Sequence, residues 1–389
     1  MGKDCGARAV ASVQLPRIAL NAWEQHMTTQ IKLGAIDSDA HVVETDHTWD
    51  FMDPSEEKYR PQLYGTDGGN RQQWVIDGKM CGLRLPTLSD QQLQAMSARI
   101  GRDFVTPTTA REVDDVSLRL EHMDRLGVDV QVLHNTLWIR GITERPEIDI
   151  ALTKSWNRWM AEVWKAGKGR LRWASVLPLT DIDTAVGMMD FAQENGAVGV
   201  VMKPFEGSRF MIDPYFYPFY EAAEKRDMPI VIHIANASSV LMDALAPPYD
   251  PSGGFPTFRI PTVHACHGLL LSEVPRMFPK LRWAFVESSA QWVPWILHEV
   301  KRRALQNAQT LPDNPYNGYN VYVSAQTDDD FPYIFDAVGD DNILIGTDYG
   351  HTDTSSEVDA IETFKALDTV SAASKQKVLV DNPVKLFGL

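Results

Sequence analysis

Eight short apolar runs recur along this 389-residue chain, centred near positions 36, 130, 173, 199, 231, 284, 321 and 344. Ala197–Met202 is apolar throughout, and Met228–Ile234 is nearly so until it reaches His233. A strand buried on both faces reads as a continuous apolar run, whereas a strand with one wet face alternates. Between the runs the period changes. Residues 114–126 carry apolar side chains at 116, 118, 120, 123 and 126 before Gly127, which is helical spacing with a glycine stop. A long helix is expected over 147–166, another from Asp181 or Asp183 to Asn195-Gly196, and one opening at Asp213-Pro214. Strands alternating with amphipathic helices predict an α/β fold with a parallel sheet covered on both faces. Eight such units predict a closed (β/α)8 TIM barrel. A doubly wound open sheet competes, but no glycine-rich phosphate fingerprint follows any strand.

Residues 34–389 are expected to form this single barrel domain, preceded by an N-terminal extension, 1–33. Insertions over about 45–110 and 236–262 would stand at the mouth. Within the first, Gln73–Met80 reads as a hairpin turning at Asp77-Gly78. The net charge of -15 disfavours nucleic acid and anionic membrane as partners. It leaves a small anionic substrate open, because charge at a site can oppose the global field. Cys5, Cys81 and Cys266 form no CxxC pair, which fits a reducing, cytoplasmic setting without disulfides. No apolar run reaches the ~18 residues of a membrane span.

In a barrel of this kind chemistry stands at the C-terminal ends of the strands. The first run, Ile36–Glu44, carries an acid-x-His pair, Asp39 and His41. Strict alternation would put Asp37 on the same face, one pleat deeper, in a supporting role, with Glu44 near the rim. Later strand ends offer His134 and Asn135, Lys203, His233 and Asn236, Glu287, Ser324 and Gln326, then Asp348 and His351. A single buried histidine is usually a hydrogen-bonded core residue. Asp39, His41, His233 and Asp348 together are two imidazoles and two carboxylates, a donor set suited to Zn2+ first and Mn2+ as the alternative.

The Asp39-x-His41 opening, His233, Phe278-Pro279-Lys280-Leu281, Ile345-Gly346-Thr347-Asp348-Tyr349 and the closing Asp381–Phe387 resemble the amidohydrolase superfamily. The resemblance is to the branch containing aminocarboxymuconate-semialdehyde decarboxylase and γ-resorcylate decarboxylase. It implies a (β/α)8 barrel, one divalent metal, a homodimer, and decarboxylation or hydrolysis of aryl or enol carboxylates. It implies Asp39, His41, His233 and Asp348 as the metal set, with Asp348 also able to take a proton. Two departures stand out. The first ligand is Asp rather than His or Glu, and strand six ends in Val286-Glu287-Ser288-Ser289 where family decarboxylases place a histidine. Glu287 is left as an added ligand, an acid/base or a supporting partner.

The expected catalytic residues are therefore Asp348, Glu287, His351 and Lys203, the last as a holder of a substrate anion. Non-oxidative decarboxylation of a small aromatic or enol acid is the first expectation. Hydrolysis with Asp348 as base is the second, favoured by Glu287 standing in place of His. A non-catalytic binding barrel is the reading of another class. His264 and His267 flank Cys266 on one helix face and read as packing, His122 as exposed, and His26, His47 and His298 as without context. Trp49, Trp292 and Trp295 are aromatic candidates for a substrate wall, each better explained by packing.

Overall fold

A computed structural model describes residues 34–65, 72–83, 88–247 and 249–389. The extension 1–33, with Cys5 and His26, lies outside the described residues. Eight strands form one sheet: β1 (Ile36–His41), β2 (Val130–His134), β3 (Leu171–Ser175), β4 (Ala197–Met202), β5 (Ile230–His233), β6 (Trp283–Val286), β7 (Val321–Ala325) and β8 (Ile343–Ile345). Each pairs in parallel with its predecessor. The sheet order follows the sequence order from first to last strand. The open-sheet alternative fails at the seam, where the ends meet. His41 N donates to Tyr349 O at 2.8 Å, and Thr347 N and Asp348 N both donate to Asp39 O, at 3.1 and 2.8 Å.

Gly346 makes this seam possible. A Cβ there would lie 2.2 Å from the Asp39 Cβ and 2.8 Å from its backbone nitrogen. The closing strand therefore passes β1 at a distance only glycine allows.

The apolar runs sort by face. Val132, Ala174, Val231, Ala284, Tyr322 and Leu344 form one buried cluster with Leu386 and Phe387 of the final helix, Asn382–Phe387. Their strand neighbours Leu133, Trp173, Ile232, Phe285, Val323 and Ile345 belong to the larger cluster shared with the helices. Alternate residues thus fill the barrel and coat it. The expected helices form, including Pro146–Ala166 with proline in its first turn. Asp181 caps the helix Ile182–Glu194 by accepting from Thr184 N.

The 45–110 segment contains a three-stranded antiparallel sheet, Gln62–Tyr64, Gln73–Ile76 and Lys79–Leu83. Its hairpin turns at Asp77 (φ 52°) and Gly78 (φ 71°), both left-handed, as a type I′ turn requires. A helix, Asp90–Ile100, follows from a Ser89 capping box with Gln92. The 236–262 segment holds a helix, Ser239–Leu245, and a π-turn, Phe255–Arg259, that runs into the helix Ile260–Leu271. Among the described residues no helix is long and apolar enough to cross a membrane.

Candidate metal centre

The first strand does not alternate strictly. Asp37 registers with Gln131 and Ala40 with Leu133, so three residues of β1 span two of β2. This bulge changes the faces. Asp39 and His41 turn inward. Asp37 instead bonds Gln131 Nε2 at 2.8 Å, and Gln131 in turn accepts from Arg119 of the helix Val116–Arg125. The shared face expected for Asp37 is corrected by that extra residue. Its supporting contacts are those to Thr347, whose hydroxyl and N–H reach it at 2.6 and 2.9 Å, and to Asp39 N at 3.2 Å.

Inside the barrel mouth the donors converge. His41 Nε2 lies 3.0 Å from His233 Nε2, 3.4 Å from Asp39 Oδ1, 3.4 Å from Asp348 Oδ1 and 3.7 Å from Glu287 Oε2. His233 Nε2 lies 3.3 Å from Asp39 and 3.1 Å from Glu287. Two overlapping groups result, each with ligand atoms mutually within 4.8 Å: Asp39, His41, His233 and Glu287, and His41, Glu287, Asp348 and His351. Glu287 (φ 65°) and Asp348 (φ 49°) both occupy left-handed backbone just beyond their strands. Such strain is held where structure aims a side chain at a site.

His41 Nδ1 stands 3.1 Å from the carbonyl of Asn135, which can only accept. The proton is therefore on Nδ1, and the Nε2 lone pair points into the cluster. A lone pair facing a second imidazole nitrogen and three carboxylates calls for a cation. Two nitrogens bound to one ion at about 2.1 Å each lie roughly 3.0–3.4 Å apart for bond angles from octahedral to tetrahedral, and the His41–His233 spacing stands at the lower end of that range. The residues fit a divalent metal.

His351 completes the wall. Its ring stacks on His41 with centroids 3.8 Å apart, and its Nδ1 lies 2.8 Å from Asp348 Oδ1. Its Nε2 is 2.8 Å from Thr136 Oγ1, whose hydroxyl reaches the Val42 carbonyl at 2.9 Å. Ser356 Oγ donates to the other Asp348 oxygen at 2.6 Å. Burial pushes Glu287 well above the usual carboxylate range, reinforced by Asp348, Asp353 and Asp39. Burial likewise lifts Asp348 to about 7, partly opposed by His351. Against the same burial, the neighbouring His233 and His41 imidazoles hold Asp39 well below its ordinary value. Burial and the His351 charge hold His41 well below the imidazole range. His351 goes against its own burial, raised to about 9 by the carboxylate of Asp348.

Other expectations meet different outcomes. Lys203 does not reach the cluster. Its Nζ is bound by both oxygens of Glu206, at 3.0 and 3.2 Å, in a neighbouring cavity of about 630 Å³ that borders Asp149 and Trp138. Glu44 is buried beneath the loop after β2 and accepts from Thr136 N, Leu137 N and Trp156 Nε1. His122, expected exposed, is buried and bonded to the Tyr349 hydroxyl at 2.7 Å. His134 is buried in the barrel with Nε2 3.2 Å from the Ser38 carbonyl. His264 stacks on Phe210 with centroids 4.6 Å apart, the packing role expected of it. Trp49 packs among Trp74 and Trp138, Trp292 bonds the Ser288 carbonyl, and Trp295 is exposed. The aromatic that lines the chamber is Trp138, with Thr136 and Ile139 from the same loop. Sequence reading missed all three; their only signal was proximity to His134 and Asn135 at a strand end.

The amidohydrolase family model matches residues 36–389. A 2-amino-3-carboxymuconate-6-semialdehyde decarboxylase from Dictyostelium discoideum is 22% identical over 305 residues, covering 72% of this chain and 79% of that protein. An amidohydrolase structure from Mycobacterium avium subsp. paratuberculosis superposes with a TM-score of 0.75 at 21% identity, covering 92% of this chain and 99% of the other. A 5-carboxyvanillate decarboxylase from Novosphingobium aromaticivorans, solved with manganese, superposes with a TM-score of 0.64 at 16% identity, covering 91% and 96%. With a parallel eight-stranded barrel and a buried His/Asp/Glu cluster at its mouth, the chain belongs to the amidohydrolase family and is an enzyme.

Proposed function

We propose that this enzyme removes CO2 from a small aromatic or enol carboxylate, using one divalent ion, Zn2+ first and Mn2+ as the alternative. Asp39, His41, His233 and Glu287 would hold the ion, with Asp348 beside His41 completing the set. When bound, the ion supplies the positive charge that grips the substrate carboxylate and an adjacent oxygen. The observation that carries the reading is the position of His351. Strand six lacks the histidine of family decarboxylases, yet an imidazole stands in the chamber, delivered from beyond β8 and stacked on His41. Thr136 fixes one of its nitrogens and Asp348 the other. The proton on His351 Nδ1, ion-paired with Asp348 Oδ1 at 2.8 Å, is the one delivered to the carbon that loses CO2. Trp138 and Ile139 cover the chamber and limit water. Decarboxylases among the relatives support this choice.

Hydrolysis is the second reading. Asp348, lifted by burial to about 7, is suited to accept a proton from an attacking water. Enzyme loaded with Zn2+ or Mn2+ and assayed for CO2 release against hydroxybenzoates separates the two. Release that stops on chelation is expected. Turnover of esters or amides without CO2 release from any acid would overturn the lyase assignment.

A further inference from the structure

The chamber over the cluster is small, about 40 Å³. A cavity of about 150 Å³ is what a benzene ring occupies. By itself the chamber therefore holds a carboxylate and its adjoining oxygen, and the ring that bears them must extend outward from it. It continues outward: Ile139, Ile234 and Asp353 line both the chamber and a second cavity of about 690 Å³. That volume is in the range of sites for ligands well beyond a single ring.

The outer cavity has a composition of its own. Met96, Ile100, Phe255 and Phe258 give it apolar walls, drawn from the helix after the first insertion's hairpin and from the π-turn of the second. Phe255 and Ile100 stay 55% and 48% exposed there, apolar surface that a bound ligand would cover. Its charge runs against that of the chain. Arg99, Arg102 and Arg259 line it with Asp353 as the one acid, in a protein of net charge -15. Arg102 is tied to Asp328 at 2.7 Å. Arg259 is half-buried, hydrogen-bonded only to hydroxyls, Ser355 Oγ at 2.6 Å and Thr354 Oγ1 at 3.3 Å, and its charge partly offsets the upward shift of Glu287. Among the described residues no carboxylate forms an ion pair with it. A guanidinium held in place by neutral partners keeps its charge available for a planar anion.

We infer that the substrate extends beyond a one-ring hydroxy acid. Its reacting group enters the inner chamber, its apolar body of about two rings fills the outer cavity, and a second anionic group pairs with Arg259. This rests on reading the buried cluster as the reaction site. The second insertion, which carries Phe255, Phe258 and Arg259, is then the element that sets specificity.

Isothermal titration of the metal-loaded protein with benzoate, biphenyl-3-carboxylate and biphenyl-3,4′-dicarboxylate tests this by binding alone. Each step is expected to tighten binding by about tenfold. Arg259→Gln should remove the gain from the second carboxylate and leave biphenyl-3-carboxylate unchanged, while Arg259→Lys keeps most of that gain. Met96→Trp should remove the gain from the second ring and leave benzoate unchanged. Benzoate binding as tightly as both biphenyls, or Arg259→Gln weakening all three ligands alike, would overturn the inference. The expected binding series without CO2 release from any acid would retain it and discard the decarboxylase reading. Decarboxylation of hydroxybenzoates with no gain from the larger ligands would do the reverse.

Discussion

His351 and Asp348 face each other at 2.8 Å, and their contributions can be separated by substitution. His351→Ala removes a proton carrier that lies outside the four-donor group of Asp39, His41, His233 and Glu287. It is expected to lower kcat by about 10²–10⁴-fold while the bound metal, measured by elemental analysis, stays near wild type. Loss of the metal in this variant would place His351 among the ligands instead. Asp149 gives a residue-scale effect on stability rather than chemistry. It is buried beside Lys203, and burial lifts its carboxyl from 3.8 to about 6, partly opposed by Lys203. Below about pH 4 the group is protonated in both folded and unfolded chains. Between about 4 and 6 the unfolded chain ionises first, so stability falls as pH rises through that window and stays lower above it. Asp149→Asn should remove this loss. Urea unfolding should find the variant more stable by on the order of 2 kcal/mol at pH 8, with the difference closing towards pH 4.

Among the elements, the seam between β8 and β1 joins fold to site most directly. Gly346→Ala would drive a methyl group into the backbone of Asp39, whose side chain faces both His41 and His233. The expected cost is about 3 kcal/mol or more in urea unfolding, because backbone on both sides must move. Metal content should fall with it, since Asp39 is displaced. Wild-type stability or wild-type metal content in this variant would show that the seam can open without cost. This element also marks the limit of what the sequence conveys. The eight strands were legible because parallel strands buried on both faces leave unbroken apolar runs, and their ends led directly to Asp39, His41, His233, Glu287 and Asp348. The bulge in β1 was not legible, because one extra residue changes the face of Asp37 without changing the composition of the run. Lys203 was misplaced because its partner Glu206 belongs to a two-stranded turn, Phe205–Glu206 with Arg209–Phe210, too short to leave a pattern. His122 was misread because Tyr349, which buries and bonds it, is distant in sequence. Trp138 and Thr136 lie on a loop, and only the fold reveals which way a loop turns.

For the molecule as a whole, the cluster ties together strands that are remote in the chain. Asp39 and His41 come from β1, His233 from β5, Glu287 from the end of β6 and Asp348 from beyond β8. A cation among them would therefore bridge the barrel and its seam, and its removal would leave three buried carboxylates facing one another. Unlike the apolar core, this contribution depends on concentration. A ligand bound only by the folded state at a thousandfold excess over its Kd stabilises by about 4 kcal/mol. A chelator should accordingly lower the melting temperature by several degrees, and Zn2+ or Mn2+ should restore it. Asp39→Asn should melt at nearly the same temperature with and without chelator, because the variant binds the ion poorly. In His351→Ala the chelator-sensitive difference should persist. A wild-type melting temperature that ignores both chelator and added metal would mean that the carboxylates are neutralised by protons alone, and the metal assignment would fall with it.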